Sequence, residues 1–582
     1  MSLVDRLATL RLAMAELGLD GFLVPRADEH LGEYVPPRAE RLAWLTGFTG
    51  SAGLAIVLRD EAALFTDGRY WLQAAEQIDP AAFQRLHMTE QPPPTWLAGR
   101  VKRVGYDPWL LSGEAVGRYG SAGVTMVPVS PNPIDALWPD RPPSPDGPAI
   151  VHPLACAGVP TAVKVAAVAN ILGEAGQDAC VLTDTASVNW LLNIRGTDIP
   201  FIPVAMGYAV VHADRRVDLF MDAPKLSPAV RRWLGAGITC AEPAGFVPAL
   251  AALSGRRVRV DPVGAPVAVA QALRAAGATT VDGTDPCLLP KACKNPVEQA
   301  GARAAHQRDG AALCRFLCWL DWTTGLTEQS AAARLLSFRQ GLDRFMGESF
   351  PAISAAGEHG AVIHYRVTPQ SDRALGQDEV YLIDSGAQFL DGTTDVTRTL
   401  WTGPSAPPAE LRRRYTRVLQ GHIALATTVF PHGVAGPHLD AIARRPLWFE
   451  GLDYDHGTGH GVGSFLSVHE GPCSLSRAAR PVPIEAGMIL SDEPGFYLPG
   501  EYGIRLENLL LVQPFDTPGA RRFLRFETLT LAPFARGLID AALMNRDEQE
   551  WVDSYHARVL AEIGPGLSPD EQAWLTGACA PI

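Results

Sequence analysis

The sequence predicts a multidomain chain in three parts: two tandem copies of one α/β pattern, then a different and larger domain. Three observations carry the prediction. The 582 residues are too many for a single hydrophobic core. An order of elements seen near Asp20 recurs near Asp178. Between the copies runs "WPDRPPSPDGPAIVHP", whose prolines read as a linker.

The elements follow in order. "MSLVDRLATLRLAMAELGLDGFLV" keeps a helical apolar period with Asp5, Arg6, Arg11 and Glu16 inside it, which is an amphipathic helix and not a secretion signal. It leads to the buried strand "DGFLV", the Trp44 segment "RLAWLTGFTGSAGLAIVL" and "AALFTDGRY". The second copy has the helix "VKVAAVANILGEAG", the strand "DACVLTD", the Trp190 segment "SVNWLLNIRG" and "AVVHADRRVDLFMD". The domains are accordingly placed at 1–145, 146–290 and 291–582. The last opens at Asn295–Pro296, a helix start with Glu298 close behind, and a helical period runs from Val297 to Trp322. Cys314 and Cys318, one turn apart in that helix, read as packing residues.

With 47% hydrophobic and 19% charged residues, the composition is that of an ordinary soluble protein. A net charge of -13 and a pI of about 5.6 argue against nucleic acid or an anionic membrane as partner. No apolar run reaches the length of a membrane span. Nine cysteines without a C-x-x-C pair make the cytoplasm the expected compartment. The only lysines, Lys102, Lys164, Lys225, Lys291 and Lys294, are read as the residue of a coding bias toward arginine.

The last domain holds the chemistry. "HGTGHGVGSFLSVHEG", from His456 to Gly471, sets His456, His460 and His469 among glycines. Glycine lets a backbone come close, which suits a ring that must reach a metal or substrate; a solvated loop is the competing reading. "DEVYLIDSGAQFLDGTTDVTRTLW" predicts a hairpin turning at Asp391–Gly392. That turn puts Asp395 opposite Gln388, so a site shared with Asp384 needs a longer turn or a bulge at Gly386. In "MILSDEPGFY" Glu493 follows an apolar strand directly. "GIRLENLLLV" reads as one strand with Arg505 and Glu507 on the same face. An acid there is costly to bury unless paired, as in an Arg505–Glu507 ion pair, or bound to metal. Four acids and one histidine form an oxygen-rich set suited to two divalent cations; Mn²⁺ fits best, with Zn²⁺ and Co²⁺ as alternatives. Paired cations activate water and stabilise a tetrahedral oxyanion, as amide hydrolysis requires.

The stretches "WLTGFTGSAG", "TDGRYWLQA", "HGAVIHYRVT", "DSGAQFLDGTTDVTRT", "HGTGHGVGSFLSVHEGP", "SDEPGFY", "YGIRLEN" and "ETLTLAPF" together resemble the Xaa-Pro aminopeptidases (aminopeptidase P) of the pita-bread metallopeptidases, in their long three-domain form. The resemblance implies two creatinase-like N-terminal α/β domains and a pita-bread α+β catalytic domain. It implies that Asp384, Asp395, His460, Glu493 and Glu507 bind two metals, with Asp395 and Glu507 bridging them. By the same resemblance Glu493 is the general base, and His364 and His469 hold the substrate and the oxyanion. His456 lines the pocket, and Tyr497 and Arg505 orient ligands around the substrate. His469–Glu470 as a plain surface pair is the competing reading. The implied partners are peptides with proline in second position and a second copy of the chain. Prolidase, a general dimetal aminopeptidase and a metal-free binding protein of the same fold are the rival activities. His422, His432 and His438 match no motif and read as surface or packing residues.

Overall fold

In the structure, a computed structural model that describes residues 2–582, the first helix runs Leu3–Glu16. Its cap, Ser2, accepts from the Asp5 amide while Asp5 returns the bond. Two compact units follow from the chain's contacts: one takes in residues through Leu154 and Val159–Leu288, the other Ala155–Gly158 and Leu289–Ile582.

The first unit contains two six-stranded sheets. In the first, the order is Gln84–His87, Ala62–Thr66, Leu54–Leu58, Gly21–Pro25, Arg103–Tyr106, Thr125–Pro128. In the second it is Ile238–Ala241, Val217–Phe220, Tyr208–His212, Ala179–Leu182, Arg257–Val260, Thr279–Asp282. Each central trio is antiparallel and each flanking strand parallel to its neighbour, so the two sheets share one topology. Trp44 and Trp190 occupy matching helices, Arg41–Thr46 and Thr185–Leu192. The duplication read from the order of elements is thus repeated strand by strand.

The second unit begins with the helix Pro296–Trp322. Asn295 accepts from the amides of Val297 and Glu298, and Glu298 closes the capping box, an arrangement that stabilises a helix start by about 1 kcal/mol. Asn295 also donates through Nδ2 to the Ala157 carbonyl at 2.9 Å, which ties the short segment Ala155–Gly158 to this unit. Cys314 and Cys318 are buried, as packing residues should be. Phe316 and Leu317 of the long helix share a core with Tyr381, Ile383 and Val396. That core fixes the strands Glu379–Ser385 and Val396–Thr402 that bracket the acidic site. A second antiparallel sheet, with Ile489–Asp492 beside Asn508–Phe515, faces the site from elsewhere in the unit.

Two local expectations are corrected. The hairpin turns at Leu390–Asp391, one residue earlier than the Asp-Gly signal, because Phe389 pairs with Gly392. The Asp391 carboxylate is buried and held by Arg308 and by Arg344, so tertiary ion pairs override the local turn preference. "GIRLENLLLV" is two strands, Tyr502–Arg505 and Asn508–Phe515, in different sheets. At the break the Glu507 amide donates to the Thr397 carbonyl at 3.2 Å.

Candidate metal centre

Asp384 pairs with Thr397, and the same register continues from Ser385–Val396 to Gln388–Thr393. Asp395 therefore lies across from Gly386, two positions beyond Asp384 and on the same face, with no bulge needed. Gly386 is required here. A Cβ at this position would sit 2.1 Å from the Thr394 carbonyl oxygen and 2.1 Å from Ser349 Oγ.

The glycine-rich stretch brings His460 to the same place. A Cβ on Gly459 would lie 1.9 Å from the Ser491 carbonyl oxygen, so only glycine lets this strand rest on the one that precedes Glu493. The His460 amide donates to Ser491 Oγ at 2.9 Å, and that hydroxyl donates to Glu493 Oε1 at 3.2 Å. Nδ1 of His460 is 3.0 Å from the Gly461 carbonyl, to which it donates. Its Nε2 faces two carboxylates, Asp395 Oδ2 and Glu493 Oε1, each at 3.5 Å. Ligand atoms of Asp395, His460 and Glu507 all lie within 4.8 Å of one another.

Arg505 does not pair with Glu507. Its NH2 donates to Asp384 Oδ2 at 2.6 Å and its NH1 to the Tyr497 hydroxyl at 2.8 Å. That hydroxyl donates to His456 Nε2 at 2.9 Å, while His456 Nδ1 donates to the Gly457 carbonyl at 2.7 Å. Thr397 stands between the two residues: it accepts from Arg505 Nε at 3.2 Å and donates to Glu507 Oε2 at 2.8 Å. His469 packs its ring against that of His460, with centroids 4.3 Å apart. His364 is half-buried just beyond the turn Gly357–Ala361. The segment that carries it is pinned by Glu328, which accepts from the Ala356 amide, His359 Nδ1 and the Tyr365 hydroxyl.

The electrostatics suit cations. Burial lifts Asp384 to about 6, against Arg505 and with the help of the Asp395 charge. Burial raises Asp395 to about 7, opposed by His469 and Arg505. Glu493 rises to about 7 by burial, opposed by His460 and Arg505. Glu507 is held well above the carboxylate range by burial and then by the charges of Asp395, Glu493 and Asp384. Asp384 Oδ1 is buried without a hydrogen-bond partner. An orphaned carboxylate oxygen beside three further acids and a histidine fits divalent metal, which would relieve both the desolvation and the mutual repulsion.

Sequence patterns missed the supports. Asp440 and Arg444, one helical turn apart on Gly436–Trp448, form a buried pair at 2.7 Å. Arg444 reaches the carbonyls of Tyr454 and His456, and Asp440 accepts from Thr458 Oγ1 at 2.7 Å, so the pair holds the loop that presents His456. The i,i+4 spacing was the available signal. His422 is fully buried as a packing residue, with Nε2 accepting from Asn508 Nδ2 at 3.0 Å. One further reading changes. Glu470 is not half of a surface pair, since its side chain is buried against Lys294 and Lys291. Of the five lysines, all but Lys102 are buried, with Lys164 on the Trp190 carbonyl and Lys225 on Asp198.

Together the fold and the centre define a metallopeptidase. Residues 300–514 match Metallopeptidase family M24 and 522–582 the C-terminal region of that family, while 6–137 and 140–298 each match the Creatinase/Prolidase N-terminal domain. The chain belongs to this M24 family. Among its relatives is a probable Xaa-Pro aminopeptidase P of Laccaria bicolor, 40% identical over 99% of this chain and 93% of the relative. Aminopeptidase P1 of Arabidopsis thaliana is 36% identical over 99% of each. The crystal structure of X-prolyl aminopeptidase from Caenorhabditis elegans, described as a cytosolic enzyme with a di-nuclear active site, superposes with a TM-score of 0.94 at 34% identity over the whole of both chains. The prolidase of Pyrococcus horikoshii shares the fold over 64% of this chain and 99% of its own, with a TM-score of 0.50 at 21% identity.

Proposed function

We propose that the protein removes the N-terminal residue from peptides whose second residue is proline, as a two-metal aminopeptidase working with Mn²⁺. The observation that carries this is the convergence of Asp384, Asp395, His460, Glu493 and Glu507, with an unpartnered Asp384 oxygen among them. Two divalent cations held there would supply Lewis acidity and would activate a water for attack on an amide at neutral pH. The residues that would hold them are Asp384, Asp395, His460, Glu493 and Glu507.

Glu493 takes the proton of the attacking water. Burial raises its carboxyl, opposed by His460 and Arg505, so it holds a proton more readily than a solvated glutamate does. His469 and His364 donate to the carbonyl oxygen as it becomes an oxyanion and hold the substrate in place. Arg505 fixes Asp384 and, through the Tyr497 hydroxyl, aligns His456 along the pocket wall. An Xaa-Pro bond is a tertiary amide with no N–H, so the site need offer no acceptor to the scissile nitrogen.

The cytosol is the proposed compartment, in keeping with the nine free cysteines and the cytosolic worm relative. Homodimerisation is also proposed: Trp448 and Phe449, adjacent in sequence, are 46% and 73% exposed, an apolar surface that a second copy would cover. Light scattering before and after Trp448→Glu tests it. The activity is tested by stripping metal and assaying an Xaa-Pro-Xaa tripeptide and an Xaa-Pro dipeptide with Mn²⁺, Zn²⁺ or Co²⁺ restored. Tripeptide cleavage that returns with Mn²⁺ supports the proposal. Cleavage of the dipeptide alone favours a prolidase, and full turnover without metal refutes the two-metal reading.

A further inference from the structure

The catalytic unit contains two lysines, Lys291 and Lys294. Both are 3% exposed, and both turn to the same carboxylate, that of Glu470, itself 4% exposed. Lys294 Nζ lies 2.5 Å from Glu470 Oε1 and Lys291 Nζ 3.7 Å from Oε2. Ion pairs with so little water around them are costly to assemble and rarely justified by stability alone, because an apolar replacement often does as well. Their position gives another reason. Glu470 follows His469 directly, and its amide donates to the Gly461 carbonyl at 2.7 Å, next to His460. Residues 461–470 thus form a loop closed on itself, with one histidine of the site near each end. Lys294 is fixed in turn: its amide donates to the Gly487 carbonyl at 2.9 Å and its carbonyl accepts from Gln299 Nε2 at 2.7 Å.

We infer that Glu470, clamped by Lys294 and Lys291, is a positioning residue that sets the His469 imidazole at the height where it meets the oxyanion. The inference rests on the oxyanion role proposed for His469. Without the clamp the closed loop keeps its backbone bonds and its metal-side histidine, while His469 loses its fixed neighbour. The consequence falls on the transition state rather than on substrate binding.

Lys294→Met is the cleaner perturbation, because Glu470 keeps Lys291 and one buried ammonium is left facing one carboxylate. Glu470→Gln strands two ammonium groups and is the second variant, taken with the Lys294→Met/Glu470→Gln double variant. All are measured as metal-loaded full-length protein, beside His469→Ala, for kcat, KM, bound metal and affinity for a phosphinate analogue of an Xaa-Pro peptide, which mimics the tetrahedral centre. Expected is a fall in kcat of about 10–100-fold, the size usual for groups that orient site residues. KM and metal content should stay near the parent's, analogue binding should weaken in step with kcat, and the double variant should be no worse than the poorer single one. Parent-like kcat and analogue affinity in Lys294→Met, with His469→Ala impaired, overturns the clamp and leaves the oxyanion role standing. A silent His469→Ala overturns both. Loss of metal from Lys294→Met overturns the inference in favour of a clamp that serves His460.

Discussion

Loading the site with metal should expel protons, because burial holds its acids partly protonated. At pH 7 the metal-free site holds Asp395 and Glu493 near 7, Asp384 near 6, and Glu507 well above its ordinary range. The first two then carry about half a proton each and Asp384 about a tenth, and the raised Glu507 adds to them. Ligands bind metal deprotonated, so filling the site at pH 7 should release about one proton per chain from the first three, with Glu507's share on top. The number should rise toward pH 6 and fall toward pH 8. The sign follows: protons and metal compete, so metal affinity climbs with pH. Calorimetric titration of Mn²⁺ into metal-stripped protein, in two buffers of equal pH but different ionisation enthalpy, counts the protons. Asp395→Asn should lower the count at pH 7 by about half a proton. A count near zero throughout pH 6–8 would refute the assignment of these acids to the metals.

Other expectations concern single groups. Glu493→Gln should lose more than the roughly 10²–10⁴-fold usual for a general base, since it weakens a ligand as well; single-turnover kinetics with circular dichroism checks this, and near-parent kcat places the base elsewhere. His460→Ala should lower bound metal and rate together, whereas His469→Ala should keep its metal and lose about 10²–10³-fold in kcat; metal analysis of the two variants decides, and the reverse pattern exchanges their roles. Burial holds His422 at about 3 and His556 at about 4, below their unfolded value, so the unfolded chain binds more protons as pH falls. Stability should drop between about pH 6.5 and 4, by up to about 1.4 kcal/mol per pH unit for each ring, visible as a falling Tm. The buried acids act in the opposite sense: their raised values favour the metal-free fold at low pH and lose that support as pH rises through about 7. The Tm gap between metal-loaded and metal-free protein, in which the two histidines cancel, should therefore widen from pH 5 to 8; a constant gap contradicts the burial of uncompensated acids.

What the sequence made legible was local. The Asn295 cap, the duplicated order of elements and the acids at strand ends each announce themselves within a few residues. The register of the Asp384–Asp395 hairpin was not legible, because Arg308 and Arg344 decide where Asp391 lies and neither is near it in the chain. The break between Arg505 and Asn508 was hidden for another reason: one apolar pattern runs through both strands, and only the Thr397 contacts divide them. Lys294 and Glu470 are 176 positions apart, and no periodicity connects them.

Residues 155–158 belong to the catalytic unit although the rest of that unit starts at Leu289. The boundary between the halves of this enzyme is therefore crossed three times by one chain, and the second duplicated sheet is spliced into the catalytic half as a long insert. A gene fragment beginning at Leu289 would make a catalytic half without the Ala157 carbonyl on which Asn295 rests, a loss of about 1 kcal/mol at the first turn of its longest helix. During synthesis the same discontinuity imposes an order. The catalytic half receives its first piece early, waits while the whole insert is made, and closes only when Asn295 has followed.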